Sequence, residues 1–490
     1  MDNRGRRGKT SGIAVPDGVA PSRVPPDPSA PGGPLSSTDR PREVTAPAAR
    51  LSRRIRHALR FRSLGVGPEG ARLERVRSSP NFRDGAFRNE RPIDGLDVTD
   101  YIPLLRESLN REARARRRPA RPVPLRRPDL TLPPVTGLRV TWMGHATVLV
   151  EIDGLRVLFD PVWGTRCSPV GFAGPRRLHP VPLPLGDLGP VDAVVISHDH
   201  YDHLDLPTIR ALAGTRTRFC VPLGVGAHLE HWGVPADRID ELDWHESTRV
   251  KGVELTATPA QHCCGRGLRR HALSLWASWV VAGPDHRVHH TGDTGYFPGF
   301  ARIGELYGPF DLSMIQIGAY SRLWPDIHMT PEEGVRAHRD LGGGVLLPIH
   351  WGTFDLAPHP WEEPVERTLT AAAEHGIPVA LPRPGEVFEP GMPLGDLPAD
   401  PWWRECVRAP VALGESSAPD GGRAGTATRG LRERAPDGPR NAVRVDAVRV
   451  DAVPVDAVPV DPGAGEPVAV DPGAGEVGNR RGPGAPTGTV

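Results

Sequence analysis

Three histidines and two aspartates fall within six residues, His198-Asp-His-Tyr-Asp-His203. Imidazole nitrogens and carboxylates suit a borderline-soft cation such as zinc, with nitrogen at about 2.0–2.1 Å from the metal. On extended backbone His198 and His200 project to the same side. A turn after Tyr201 brings Asp202 and His203 round to face a second point. One metal cannot use His198, His200, Asp202 and His203 together and keep an open position, whereas two neighbouring metals can. The chemistry on offer is that of a dinuclear metal centre. The competing reading is a polar loop that happens to be rich in histidine, and four ligand-type side chains at these spacings weigh against it.

A strand must carry this loop. Residues 191–196, an apolar run after Gly189-Pro190, predict a buried strand, and residues 204–212 predict the start of a helix. The loop therefore sits at the C-terminal end of a strand, where α/β proteins place their chemistry. Upstream, residues 140–143 and 147–152 read as strands, Asp153-Gly154 as a two-residue hairpin turn and 155–159 as the return strand, stopped by Asp160-Pro161. Downstream, strands are expected at 217–221, 253–258, 272–281, 311–317, 345–349 and 378–381, with helices at 331–341 and 364–375. This order predicts two sheets covered by outer helices. Three more ligand-type residues follow expected strands: His262, Asp293 and His350. Asp293 lies in His290-Thr-Gly-Asp-Thr-Gly295, whose glycines let backbone approach a ligand closely. Each alone also has a structural reading, such as an aspartate capping its own turn. On one rim they supply what the 198–203 loop lacks.

Composition bounds the alternatives. A net charge of +1 gives no global field toward nucleic acid or membrane. The cysteines, Cys167, Cys220, Cys263, Cys264 and Cys406, form neither a disulfide framework nor a zinc-finger spacing. No signal peptide is expected after Met1-Asp-Asn-Arg-Gly-Arg-Arg, and no window reaches the ~18 apolar residues of a membrane span, so a cytoplasmic protein is expected. A hydrophobic content of 38%, with 56 Gly and 57 Pro, fits one core with disordered ends rather than several domains. The expected organisation is a disordered tail at 1–48, a basic helix and N-terminal extension wrapping the core at 49–135, a hydrolase domain at 136–392, and a disordered low-complexity tail at 393–490 in which Trp402 and Trp403 remain docking candidates. Within the second segment, Leu51, Ile55, Ala58 and Leu59 mark a basic amphipathic helix. Its narrow apolar stripe favours docking on the protein's own domain, with peripheral contact to an anionic membrane as the alternative. The arginine–proline run at 111–127 reads as a solvated linker, since no aromatics interleave it as in a nucleic-acid patch.

Seven motifs extend the pattern: Thr141-Trp-Met-Gly-His-Ala-Thr-Val-Leu-Val-Glu151, Phe159-Asp-Pro161, Ser197-His-Asp-His-Tyr-Asp-His-Leu204, Pro259-Ala-Gln-His262, Gly292-Asp-Thr-Gly-Tyr296, Gly318-Ala-Tyr320 and Ile349-His-Trp-Gly-Thr-Phe354. Together they resemble the metallo-β-lactamase superfamily, whose hallmark is His-x-His-x-Asp-His with a later His, Asp and His. Within it they look like the branch containing N-acylphosphatidylethanolamine-hydrolysing phospholipase D, as does Ser79-Pro-Asn-Phe-Arg-Asp-Gly85. The resemblance covers about residues 79–388. It implies an α/β fold of four layers, αββα. It also implies two zinc ions, other divalent metals remaining open: one held by His198, His200 and His262, the other by Asp202, His203 and His350, with Asp293 bridging. A hydroxide between the metals would attack phosphorus and release phosphatidic acid from an N-acylphosphatidylethanolamine-like substrate. The resemblance gives Asp202 and His328 catalytic places, His328 near the substrate phosphate to stabilise charge or donate a proton. A cap contact before the helix at Pro331 is the competing role for His328. His145 and Asp160 would orient ligands through hydrogen bonds. Cys263 and Cys264 are taken as packing. No apolar segment is dedicated to acyl chains; Phe297, Phe300, Leu323 and Trp324 are pocket candidates that core packing explains equally well. A lactonase and a non-catalytic metal-bound scaffold are the alternative functions. A small molecule or phospholipid is the expected partner, nucleic acid is not, and the oligomeric state is left open.

Overall fold

The computed structural model describes residues 62–93, 110–266 and 273–407. Two sheets carry the domain. The first has seven strands, in the spatial order β15-β3-β4-β5-β6-β7-β8: β3 (Leu138–Gly144), β4 (Thr147–Ile152), β5 (Leu155–Phe159), β6 (Ala193–Val195), β7 (Arg218–Pro222), β8 (Ile239–Leu242) and the two-residue edge strand β15 (Val387–Phe388). The second has six, in the order β14-β13-β12-β11-β10-β9: β9 (Ser247–Val250), β10 (Val253–Thr258), β11 (Ser278–Ala282), β12 (Arg287–His290), β13 (Phe310–Gln316) and β14 (Gly343–Ile349).

Strand periodicity decides which side chains face which layer. Val148, Val150 and Ile152 join the core between the sheets, while Leu149 faces the other way. Leu155, Val157 and Phe159 likewise part from Leu158, and Ala193 and Val195 from Val194 and Ile196. The outward set packs on Ile209 and Leu212 of helix α3 (Leu206–Ala213) and on Leu229 and Trp232 of α4 (Gly226–Trp232). The second sheet is covered by α5 (Gly299–Tyr307), α6 (Pro331–Asp340) and α7 (Glu363–Ala373), which bury Phe300, Ile303, Val335 and Val365. The result is the four-layer αββα arrangement. Both faces of each sheet are covered, which is why the central strands read as unbroken apolar runs.

The Asp153-Gly154 turn forms as expected, both residues taking positive φ (48° and 83°) and pairing Ile152 with Leu155. The Asp153 carboxylate then accepts the His286 backbone N–H at 3.1 Å and its ring N–H at 2.7 Å, tying this hairpin to the β11–β12 turn of the other sheet.

Strand direction sets the rim. β5, β6, β7 and β8 run parallel, and β3 is antiparallel to β4, which is antiparallel to β5. β3, β5 and β6 therefore end at one edge. By the same count β10, β12, β13 and β14 end together at one edge of the second sheet. His145, Asp160, the 198–203 loop, His262, Asp293 and His350 all follow these ends.

Several expectations need correction. Residues 378–381 form no strand: Leu346 pairs with Val379 in an isolated bridge, because Pro378 has no N–H with which to extend the ladder. The strand expected over 272–281 is confined to Ser278–Ala282. The run at 111–127 is no solvated linker. It opens with helix α2 (Arg111–Arg116), then lies against the C-terminal segment, where Ala120 N–H donates to Cys406 O at 2.7 Å and Arg126 N–H to Pro384 O at 2.9 Å. Past residue 393 the docking candidates Trp402 and Trp403 do pack on the domain. Trp402 and Trp403 are buried, and Trp402 stacks on Trp351 at 5.5 Å, giving the segment after 393 an aromatic anchor. Of the expected amphipathic helix, residues 51–61 lie outside the described residues, and Arg62–Leu64 form a single 3-10 turn. Among the described residues no helix is long and apolar enough to cross a membrane.

Candidate metal centre

Five of these segments deliver side chains into two neighbouring groups. In one, ligand atoms of His198, His200, His262 and Asp293 all lie within 4.8 Å of one another; in the other, those of His145, Asp202, His203 and His350 do. Asp293 stands between them. Its Oδ2 is 3.0 Å from His203 Nε2, 3.8 Å from His198 Nε2 and 3.9 Å from His262 Nε2, and its Oδ1 is 3.0 Å from His350 Nε2. All seven residues expected as ligands are thus brought together.

The tautomers follow from the neighbours. The Ser197 hydroxyl donates to Asp160 Oδ2 at 2.7 Å, so His198 Nδ1, 2.9 Å from the same hydroxyl, must donate to it. His203 Nδ1 donates to Asp160 Oδ2 at 2.7 Å, and His262 Nδ1 to the Ile327 carbonyl at 2.9 Å. In each ring the Nε2 lone pair is left bare and turned inward, as a metal ligand requires. Asp160 orients the loop as expected, taking the Ser197 N–H as well at 2.7 Å. His145 also plays its expected part: its Nε2 lies 3.0 Å from Asp202 Oδ2. It further belongs to the ligand group itself, which the spacing of the sequence does not foretell.

The backbone contributes strain at the same place. His145, Asp160 and His350 take φ of +58°, +39° and +64°, conformations uncommon for non-glycine residues. They are held by a lattice of bonds: His350 N–H donates to His145 O at 3.0 Å, Trp142 Nε1–H to the same carbonyl at 2.8 Å, and His145 N–H to the Thr353 hydroxyl at 2.7 Å.

Burial and charge shift these groups in both directions: burial disfavours the charged rings of His203 and His350, yet Asp293 and Asp202 beside them outweigh it and raise both above the ordinary imidazole range. Burial, reinforced at His198 by the neighbouring imidazoles, holds His198 and His262 well below the ordinary imidazole range. At Asp202 and Asp293 burial opposes ionisation, yet His203 and the imidazoles around it hold both carboxyls well below the usual carboxylate range. His203 Nε2, His350 Nε2 and Asp293 Oδ1 are buried and make no hydrogen bond although they lie so close. Atoms at 3.0 Å that do not align with one another point instead at common space, and buried polar atoms of this kind require a partner.

His328 turns toward the same centre. Its ring is 5.2 Å from His262 and 5.3 Å from His350, its Nδ1 is buried without a hydrogen bond, and burial pushes it down to about 4. The cap of α6 is Thr330, in a capping box with Glu333, so the competing cap role for His328 falls away. Asp199, the remaining acid of the loop, faces the core and accepts Gly265 N–H at 2.7 Å and the Ser274 hydroxyl at 3.0 Å. Cys263 and Cys264 stand outside both ligand groups, and Cys264 packs on the core. Phe297 and Phe300 are core residues, whereas Leu323 and Trp324 are half-buried.

Two supporting residues escape the sequence pattern. Arg266, buried, donates to the carbonyls of Asp199 at 2.6 Å and Leu204 at 2.8 Å, and lies 4.0 Å over the Tyr201 ring, bracing the metal loop from beneath. Asn89 holds the backbone of His262 from the N-terminal hairpin. Neither residue type signals its role, because each acts on partners remote in sequence. Two clefts border the ligand loops. One, of about 560 Å³, includes His262, Cys263 and Trp276 with Arg83, Arg88 and Arg91. The other, of about 570 Å³, includes Tyr201 with Pro169, Val170, Phe172, Leu206 and Pro207.

Comparison with known proteins places the chain among hydrolases of one superfamily. A beta-lactamase superfamily domain matches residues 155–351. The chain is 52% identical over 354 residues to an uncharacterised protein of Mycobacterium tuberculosis, covering 71% of this chain and 94% of that one. It is 41% identical over 233 residues to the N-acyl-phosphatidylethanolamine-hydrolyzing phospholipase D 1 of Caenorhabditis elegans, covering 45% of this chain and 65% of the worm protein. It is 30% identical over 257 residues to a metal-dependent hydrolase of Methanopyrus kandleri, covering 51% of this chain and all (100%) of that one.

Proposed function

Since the chain belongs to the metal-dependent hydrolases of the beta-lactamase superfamily, we propose that it is a dinuclear zinc phosphodiesterase of phospholipase D type. Its substrate is an N-acylphosphatidylethanolamine or a diester of the same build. The observation that carries this reading is the place of Asp293, whose Oδ2 lies 3.8 and 3.9 Å from Nε2 of His198 and His262 and 3.0 Å from that of His203, and whose Oδ1 lies 3.0 Å from that of His350. The donor set fits the metal: imidazoles and two carboxylates converge, and His203 Nε2, His350 Nε2 and Asp293 Oδ1 are buried without hydrogen bonds. His198, His200 and His262 would hold one ion, Asp202, His203 and His350 the other, and Asp293 both. A zinc pair supplies a nucleophile at neutral pH and draws off charge developing on the phosphoryl oxygens.

The remaining work falls to the chain. Asp160 and Ser197 keep His198 and His203 in one tautomer, so their Nε2 atoms stay bare. His145 fixes Asp202. His328, facing the centre with an unbonded Nδ1, meets a substrate phosphate oxygen or the departing oxygen. Water oxygen joins phosphorus, the bond from phosphorus to the ethanolamine oxygen breaks, and that oxygen leaves protonated as N-acylethanolamine, with phosphatidic acid as the other product. The arginines of one cleft suit a phosphate, and the apolar lining of the other suits an acyl chain.

The reading is tested with zinc-loaded protein and a panel of phosphodiesters and lactones. Phosphatidic acid should appear from the N-acylated lipid and be lost in Asp202→Asn and His200→Ala. Lactone opening without turnover of any phosphodiester contradicts the proposal.

A further inference from the structure

We propose that Asn89 is a positioning residue for the His262 side of the metal centre, a role that rests on reading His262 as a ligand. Asn89 follows a hairpin, β1 (Phe82–Arg83) and β2 (Ala86–Phe87), that lies outside the matched superfamily domain at 155–351. Its amide meets the His262 main chain on both sides. Nδ2–H donates to the His262 carbonyl at 2.8 Å, and Oδ1 accepts the His262 N–H at 3.0 Å. This is the paired exchange a neighbouring strand would make, supplied here by one side chain. Oδ1 accepts a second N–H, from Trp276 Nε1 at 2.8 Å. Two donors converge on that atom, so it must be the oxygen, and the amide has one orientation.

The ring is fixed separately. His262 Nδ1 donates to Ile327 O from the opposite side, and Gln261 is tied on both sides, its amide Nε2–H to Arg91 O at 3.0 Å and its backbone N–H to the Thr294 hydroxyl at 2.9 Å. With its main chain held by Asn89 and its ring by Ile327, His262 aims Nε2 to within 3.3 Å of His200 Nδ1. By contrast, His198 and His200 sit in a loop that its own backbone helps to close: His203 N–H and Leu204 N–H both donate to His200 O, at 3.2 and 2.8 Å. His262 takes its main-chain register on both its N–H and its carbonyl from one side chain 173 residues away. Asn89 is only half-buried, so truncating it removes orientation rather than core volume.

The test titrates cobalt(II) into metal-free full-length chain: wild type, Asn89→Ala, Asn89→Asp and His262→Ala. Wild type should take two ions. Asn89→Ala should lose about 10- to 100-fold in affinity at one of them, as residues that orient ligands do. The cobalt d–d absorption of that ion should change, the other ion should bind as before, and the metal-free protein should melt as wild type does. Asn89→Asp keeps the accepting oxygen and loses the donor, so it should fall between, and it carries the test if Asn89→Ala does not fold. Two wild-type affinities with an unchanged spectrum in Asn89→Ala overturn the inference, provided His262→Ala loses one ion. Equal weakening of both ions with a lower metal-free melting point also overturns it, since that is the mark of general structural damage. If His262→Ala binds both ions normally, the reading of His262 as a ligand fails and this inference with it.

Discussion

The two halves of the metal centre are built differently. The half containing Asp202, His203 and His350 is held from inside the sandwich: Asp160 grips His203, His145 grips Asp202, and Thr353 and Trp142 hold the strained His145 backbone. Trp351, next to His350, stacks between Trp142 and Trp402, so this half is continuous with the core. The half containing His198, His200 and His262 has one ligand on a loop that depends on remote partners, Asn89 on one side and Ile327 on the other. Strand ends that share a rim can assemble one half of a centre unaided. The other half draws in addition on Asn89, which follows a two-stranded hairpin separate from both sheets of the sandwich.

Removing the shared ligand should abolish the difference between the halves. Asp293→Ala is expected to weaken both ions and lower turnover by more than about 100-fold, beyond what loss of an orienting residue costs. Metal analysis and phosphodiester turnover check it, and retention of one tightly bound ion would mean that Asp293 serves one half only.

A control away from both halves is the buried His338, whose Nδ1 lies 2.5 Å from the Ser313 hydroxyl and which burial pushes down to about 4 from the ordinary 6.5. Above pH 6.5 both folded and unfolded chains hold it neutral. Between pH 6.5 and 4 the unfolded chain takes up a proton that the folded chain refuses, so stability falls as pH falls. Its share of that loss is about 3 kcal/mol at most. Denaturant titrations across this window should show a shallower acid slope in His338→Gln, and an unchanged slope contradicts the assignment.

Asp160→Asn should separate the halves. One amide oxygen cannot replace both Oδ1, which accepts the Ser197 N–H, and Oδ2, which accepts the Ser197 hydroxyl and His203 Nδ1, so the Asp202–His203–His350 half should lose about 10- to 100-fold in affinity. His198, which touches Asp160 only through Ser197, should suffer less. The smallest effect is expected from Thr330→Ala, which removes the cap of α6 just after His328. Stability should fall by about 1 kcal/mol, read by thermal unfolding. Any change in metal binding should appear on the His262 half, whose Ile327 partner lies three residues before the cap.

The parts of this structure visible in the sequence are those where local pattern and long-range placement agree. Asp153-Gly154 sets its hairpin through its own backbone preferences, and the apolar runs of β4, β5 and β6 are long enough to announce buried strands. The seven ligand-type residues could be gathered because each follows a strand that ends on the common rim. What stayed hidden depends on partners far along the chain. Arg266 and Asn89 look like surface residues until their carbonyl partners are in place. β8 and β9, Ile-Asp-Glu-Leu and Ser-Thr-Arg-Val, are short and half polar, and β12 carries buried His289 and His290 where an apolar residue would be expected. The arginine–proline run at 111–127 has no periodicity to reveal that its backbone groups pair with residues 384–406.

The central claim is that seven side chains from four strand ends grip two cations about one shared carboxylate. Anomalous scattering at the zinc edge, from crystals of the zinc-loaded full-length chain, tests it most directly. Two peaks are expected, one among His198, His200 and His262 and one among Asp202, His203 and His350, with Asp293 between them. A single peak, or zinc bound elsewhere while these residues stay bare, would contradict it.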